Sequence, residues 1–134
     1  MKLYRPVSLI LCLLFAIVGL LILFIPDRVL EFFNTLSGHL GMSPSPVEGH
    51  SFYVALTTGY MYLVTLLAFL MYRNPQNRHF PLILAHGKLA SSVLSLGLFL
   101  IQEQYLIYIT NFVIDGFSGI IVLFFYLKLK RRTT

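Results

Sequence analysis

Two apolar stretches of this 134-residue chain carry polar side chains at helical spacing, and those are the residues whose types could do chemistry. In the first, Lys88, Ser91 or Ser92, and Ser95 recur every three or four residues; in the second, Asn111, Asp115 and Ser118 do the same. Spacing of that kind puts each set on one face of a helix. A charged side chain near the middle of a bilayer costs from about 2.5 kcal/mol upward, so it turns toward protein or water and seeks a partner. Asp115 is the most expensive residue in the chain on that scale. One use of it is a protonation site on a proton or substrate pathway. The other is a structural acid, neutral or satisfied by Lys88, Ser91 and Asn111, that locks two helices together. With no other pathway signature in the sequence, the structural use is the expected one.

The histidines invite a metal or haem reading. Membrane haem needs two axial ligands facing each other across the macrocycle, and of His39, His50, His79 and His86 only the last falls inside an apolar run. His79 and His86 share a helical face but stand about 10 Å apart by helical rise, too far for one ion. His39, His50 and Glu48 could meet in a loop, though nothing constrains their spacing. No metal, haem or other cofactor is expected, and His86 reads as a headgroup-level polar residue. Cys12 is the single cysteine, which excludes a disulfide framework. In its Leu-rich setting it behaves as a small hydrophobe. Most tyrosines (Tyr53, Tyr72, Tyr105, Tyr108 and Tyr126) lie near the ends of apolar runs, as interfacial belts do. Thr58, Tyr60 and Tyr62 lie deeper and could line a pocket for a lipid or quinone headgroup, although helix packing is the plainer use. The sequence contains no Ser-His-Asp set, Cys pair, HExxH or nucleotide-binding motif.

The elements that hold these residues follow from composition. Hydrophobic residues make up 57% of the chain and charged residues only 11%, against about 25% charged in an ordinary soluble domain. Disorder would need the opposite balance. Four segments, 7–25, 52–72, 82–101 and 105–127, supply the about 20 apolar residues that a membrane-spanning helix requires. The chain therefore reads as a single all-α integral membrane domain over 1–134, a four-transmembrane-helix bundle. Lys2 and Arg5 before the first run suggest a cleaved signal peptide, but the run is longer than the usual h-region and ends in Phe24-Ile25-Pro26-Asp27, without a small-residue cleavage site. A lipoprotein site at Cys12 fails as well, since Leu11 and Leu13 flank it. Segment 7–25 is read as a retained helix.

Charge gives the orientation. Lys2, Arg5, Arg73, Arg78, Lys128, Lys130, Arg131 and Arg132, eight of the ten basic residues, fall on one side of the four spans. Asp27, Glu31, Glu48 and Glu103 fall on the other, with Arg28. Basic short loops stay cytoplasmic, which places both termini inside and the protein in a plasma (inner) membrane. The net charge of +5 is thus topological and does not indicate nucleic-acid binding. Lys128, Lys130, Arg131 and Arg132 are expected to attract anionic lipid headgroups, at about 1 kcal/mol per residue.

Two connections carry further information. Between the first two spans, Val29, Phe32, Phe33, Leu36 and Leu40 recur at helical spacing, which predicts an amphipathic helix over 27–40, begun at Pro26-Asp27 and stopped at Gly38 or Gly41. It either lies in the outer interface with Phe32 and Phe33 toward the acyl chains or caps the bundle. Ser43-Pro44-Ser45-Pro46 follows as a non-helical stretch. Gln102-Glu103-Gln104 alone joins the third and fourth spans, which makes them antiparallel neighbours. That register sets Asn111 level with Ser95, Asp115 with Ser91 and Ser118 with Lys88. The prediction is a buried polar seam of Lys88, Ser91, Ser95, Asn111, Asp115 and Ser118, with Gly87, Gly116 and Gly119 permitting close approach. Lys88 and Asp115 are offset by about 6 Å along the axis, and side chains lean toward their own helix N-termini, which sends these two apart. Direct pairing and snorkelling of Lys88 toward the headgroups both stay open.

A first span ending at Pro26, an outer amphipathic stretch, the Tyr72-Arg73-Asn74-Pro75 turn and polar residues inside the last two spans together resemble the layout of the small four-span DoxX-like membrane proteins. The likeness covers most of the chain as layout, and the Arg and Gly patterns of that family are not matched, so no catalytic residue is carried over. The expected function is that of a non-enzymatic accessory or assembly partner of a larger membrane complex. The alternative is a small proton-coupled transporter using Asp115, with Lys88, working as an oligomer because four helices enclose little room. A quinone- or lipid-binding redox subunit near Tyr60 and Tyr62 is the third reading.

Overall fold

Long runs of Leu, Ile, Phe and Val without an interior proline satisfy their own backbone groups best as helices. The computed structural model describes residues 3–47 and 51–131, and Lys2, Glu48, His50 and Arg132 lie outside them. Among the described residues there are five α-helices and no strand: α1 (Tyr4–Phe24), α2 (Pro26–His39), α3 (Ser51–Arg73), α4 (His79–Ile101) and α5 (Leu106–Lys130). Four of them, all but α2, are long and apolar enough to cross a membrane.

The boundaries differ from the apolar runs in ways that local chemistry explains. α4 starts at His79 rather than 82, since Pro81 sits in its first turn, where no helical amide is lost. α5 continues past 127 to Lys130, because Leu and Lys are good helix formers and cations favour a helix C-terminus. α1 begins earlier than residue 7 and ends at Phe24. Ile25, preceding a proline, is pushed out of the α region (φ −137°, ψ 51°), and Pro26 opens α2 with no intervening loop.

α2 ends in a Schellman motif. Gly41 takes the left-handed φ of 66°, its amide donates to Gly38 O (3.4 Å), and the Met42 amide donates to Ser37 O (3.0 Å). The Asn34 side-chain amide then grips the Ser45 peptide in both directions, Nδ2 donating to Ser45 O (2.8 Å) and Oδ1 accepting from Ser45 N (2.7 Å). The proline-containing stretch is thereby folded back along α2.

The bundle is built from two closely packed pairs, α1 with α3 and α4 with α5, joined where α3 meets α4. Short turns make α3, α4 and α5 successively antiparallel. Tyr4 stacks edge-on against Phe125, ring centroids 5.3 Å apart, so the start of α1 lies beside the end of α5. Tyr4, Leu11 and Phe15 of α1, Val64 and Met71 of α3, Leu84 of α4 and Val122 of α5 form the core. The outward faces of the four long helices are apolar over their length, from Leu13 and Ile17 through Leu63, Val93 and Phe117. Soluble monomers rarely expose contiguous apolar patches beyond roughly a few hundred Å².

α2 packs on α1 and α5 with Ser37 buried and Phe33 half-buried, so it caps the bundle. Phe32, Leu36 and Leu40 nevertheless remain 64%, 41% and 59% exposed, a second apolar stripe beside the packed one. The expectation that Phe32 and Phe33 face outward together is corrected: consecutive residues diverge by about 100° on a helix, and only Phe32 does.

Candidate functional site

Close approach of α4 and α5 creates the site. A Cβ on Gly119 would meet Leu89 Cγ and Cδ2 at 3.0 Å and its backbone N at 3.3 Å, so glycine is what lets the two backbones come together here. Across this contact Ser92 Oγ donates to the Phe112 carbonyl (2.8 Å), and Asn111 Nδ2 donates to Ser95 Oγ (2.6 Å) and Ser91 Oγ (3.1 Å).

Lys88 Nζ donates to Asp115 Oδ1 at 2.7 Å, with the two side chains 2% and 4% exposed. The side chain of Lys88 does not run to the bundle end. Its four-carbon stem absorbs the axial offset, because an ammonium at this depth is better satisfied by a carboxylate than by a distant surface. α1 and α3 close over the pair. The Phe15 ring centroid lies 4.2 Å from Nζ and that of Tyr60 5.1 Å, so the ammonium has a carboxylate on one side and two aromatic faces on others. The Tyr60 hydroxyl donates to Gly87 O (3.3 Å). Asp115 Oδ2 is buried and has no hydrogen-bond partner.

Of the six seam residues expected from sequence, Lys88, Ser91, Ser95, Asn111 and Asp115 come together. Ser118 does not bond across: its hydroxyl returns to the Asp115 carbonyl of its own helix (3.1 Å). Nor does Asp115 take Ser91, the residue set level with it; the longer Lys88 reaches it from one turn away. Sequence spacing alone left Ser91 and Ser92 equivalent, yet Ser92 is the buried one, at 3% exposure, and ties the helices through backbone. Phe15 carries no sequence signal that separates it from eleven other phenylalanines.

The pocket expected from Thr58, Tyr60 and Tyr62 is not formed. Two residues apart on a helix means about 200° of rotation, so Tyr60 turns to Gly87 and Lys88 while Tyr62 is 70% exposed on the other side. Thr58 Oγ1 is buried without a partner. A groove in the described residues lies elsewhere, on α5, lined by Ile109, Thr110, Val113 and Ile114. His39, His79 and His86 are exposed, with His86 Nδ1 2.9 Å from the Leu82 carbonyl of its own helix. Among the described residues no three His, Cys, Asp or Glu side chains gather as a metal site would require.

No family model, curated protein or solved structure matches the chain. What the site can do therefore follows from its own chemistry. A charge-assisted hydrogen bond at this length is short and strong, and breaking a buried pair by removing one partner is costly. The site can fasten α4 to α5, and the free oxygen of Asp115 can accept one further hydrogen bond or one proton.

Proposed function

We propose that this chain is a four-span membrane protein with α1, α3, α4 and α5 crossing the bilayer, both termini cytoplasmic, and that it acts as a non-enzymatic accessory or assembly subunit. The carrying observation is how its polar groups are used. The side chains able to do chemistry hydrogen-bond to one another along the α4–α5 seam, while the surface left uncovered is apolar. A protein of that kind acts through what it packs against. The layout resembles that of the DoxX-like bundles, and Phe32, Leu36 and Leu40 of α2 are exposed where they would meet acyl chains or a partner helix. Arg5, Arg73, Arg78, Lys128, Lys130 and Arg131 gather at one end of the bundle and suit the cytoplasmic surface, with the last three turned to anionic headgroups.

The test is isolation from native membranes in mild detergent, followed by mass measurement of the intact particle. The expected particle contains a second polypeptide in fixed ratio. Repeated recovery of this chain alone overturns the accessory reading.

The unpartnered Oδ2 of Asp115 favours a second reading, a proton-coupled carrier. In proteoliposomes that reading expects Asp115→Asn to abolish pH-driven flux in protein that remains helical by circular dichroism. Unchanged flux removes it.

A further inference from the structure

α4 is the least apolar of the four long helices, and it holds Lys88 in its middle third, as α5 holds Asp115. At a helix centre one such charge offsets roughly five or more leucines. Lys88 lies about 14 Å from the start of α4 at 1.5 Å per residue, further than its four-carbon stem spans, so snorkelling does not bring the charge to the bundle end. A carboxylate has to meet it inside. α1 and α3, the long helices that precede α4 in the chain, contain no acidic residue. Asp115 is the one carboxylate within the four long helices, and Lys88 Nζ reaches it at 2.7 Å with both side chains withdrawn from the surface.

The connection delivers that carboxylate next in the chain. Residues 102–105 turn tightly, with Gln102 N donating to Leu98 O (2.9 Å) and Tyr105 N to Glu103 O (2.8 Å), and α5 starts at once. The other ties of the seam join the same two helices: Ser92 to the Phe112 carbonyl, Asn111 to Ser91 and Ser95, and Gly119 against Leu89. Toward α3 the tie is the longer bond from Tyr60 to Gly87 O. Toward α1 it is the Phe15 ring on Lys88.

We infer that α4 and α5 enter the membrane together, as one helical hairpin whose ion pair forms before either helix meets lipid alone, and that α1 and α3 close over it afterwards. This rests on the four-span topology proposed above. Lys88 and Asp115 make the crossing of each helix conditional on the other, while α1, the most apolar of the four, needs no such partner. The Phe15 and Tyr60 rings reach the ammonium once the carboxylate already holds it.

Asp115→Leu separates this from helix-by-helix insertion, because it makes α5 more apolar while leaving Lys88 without its carboxylate. The full chain carries Cys12→Ala and either Glu103→Cys or Gln76→Cys, at exposed positions in the two turns that flank α4. Membrane vesicles of either orientation are treated with a membrane-impermeant maleimide. The side of labelling reports whether α4 has crossed, whether or not the bundle has packed. With the native pair, Glu103→Cys and Gln76→Cys are expected to label from opposite sides. Asp115→Leu is expected to cut labelling of Glu103→Cys from its own side on the order of tenfold and to move it to the Gln76 side. Adding Lys88→Leu to Asp115→Leu is expected to restore the native pattern. Unchanged labelling in Asp115→Leu means that α4 crosses alone and overturns the inference while the topology stands, and so does a loss that Lys88→Leu fails to repair. If Glu103→Cys and Gln76→Cys label from one side with the native pair in place, topology and inference fall together.

Discussion

Lys88 and Asp115 stabilise each other mainly by cancelling what each would cost alone, and that arithmetic sets the first prediction. Asp115→Asn leaves a buried ammonium facing only the Phe15 and Tyr60 rings, and removal of one partner from a buried pair costs about 3–5 kcal/mol. Replacing both, as Lys88→Met with Asp115→Leu, removes the charges together and recovers most of that loss. Reversible denaturation in detergent micelles measures both; a double variant as unstable as the single one refutes this account. Asn111→Leu severs only the bonds to Ser91 and Ser95. Interhelical hydrogen bonds in bilayers are worth about 0.6 kcal/mol on average, so its expected cost in the same assay is about 1 kcal/mol. At this scale the sequence was informative about five of the seam residues, because polar residues inside apolar runs and helical period are both visible in a string of letters. It was silent about Phe15, whose role depends on which face of α1 meets α4, and ambiguous about Tyr60, whose depth was visible but not its direction.

Elements come together where side chains are small, and glycines differ sharply in this respect. Gly119 lies against Leu89, including its backbone N, so in Gly119→Ala Leu89 must give by a few tenths of an ångström, and the expected overpacking cost is about 1–3 kcal/mol. Gly97 has nothing within 4 Å of the corresponding position. Gly97→Ala is expected to stabilise α4 by about 0.5–1 kcal/mol through helix propensity alone. Thermal unfolding of the two variants side by side checks the contrast, and equal shifts would refute the close-contact explanation. The helices themselves were readable, since long apolar runs and the Pro26 break dictate them. Their ends were not, because α1, α4 and α5 run past the apolar runs to Tyr4, His79 and Lys130, where proline in a first turn and helix propensity count for more than hydropathy. The amphipathic stretch was also readable as a helix, but sequence period could not say that α2 would carry two adjacent apolar stripes, one packed and one bare. That outcome depends on the angle at which Ile25 and Pro26 turn the chain.

Whole-molecule charge shows the same division between what a sequence states and what packing decides. Antiparallel α3, α4 and α5, with the start of α1 beside Phe125, gather Arg5, Arg73, Arg78, Lys128, Lys130 and Arg131 at one end, while Asp27, Glu31 and Glu103 lie at the other. The side chains at the basic end do not all project along the bundle axis. Lys128 Nζ stands 5.8 Å from the exposed Phe124 ring and Arg73 Cζ 5.9 Å from the Phe69 ring, which turns both cations toward the flank where lipid headgroups would sit. Each basic residue near an anionic surface is worth about 1 kcal/mol. Replacing Lys128, Lys130 and Arg131 by Gln is therefore expected to lower the preference for anionic over zwitterionic lipid by up to about 3 kcal/mol, on the order of a hundredfold. Brominated lipids that quench tyrosine fluorescence in proteoliposomes report that preference directly. Raising ionic strength should erode it in the native chain, because exposed charges separated by more than about 10 Å are screened at 0.1 M salt. A preference that survives both the triple substitution and high salt would assign lipid selectivity to the apolar flanks instead of the basic end.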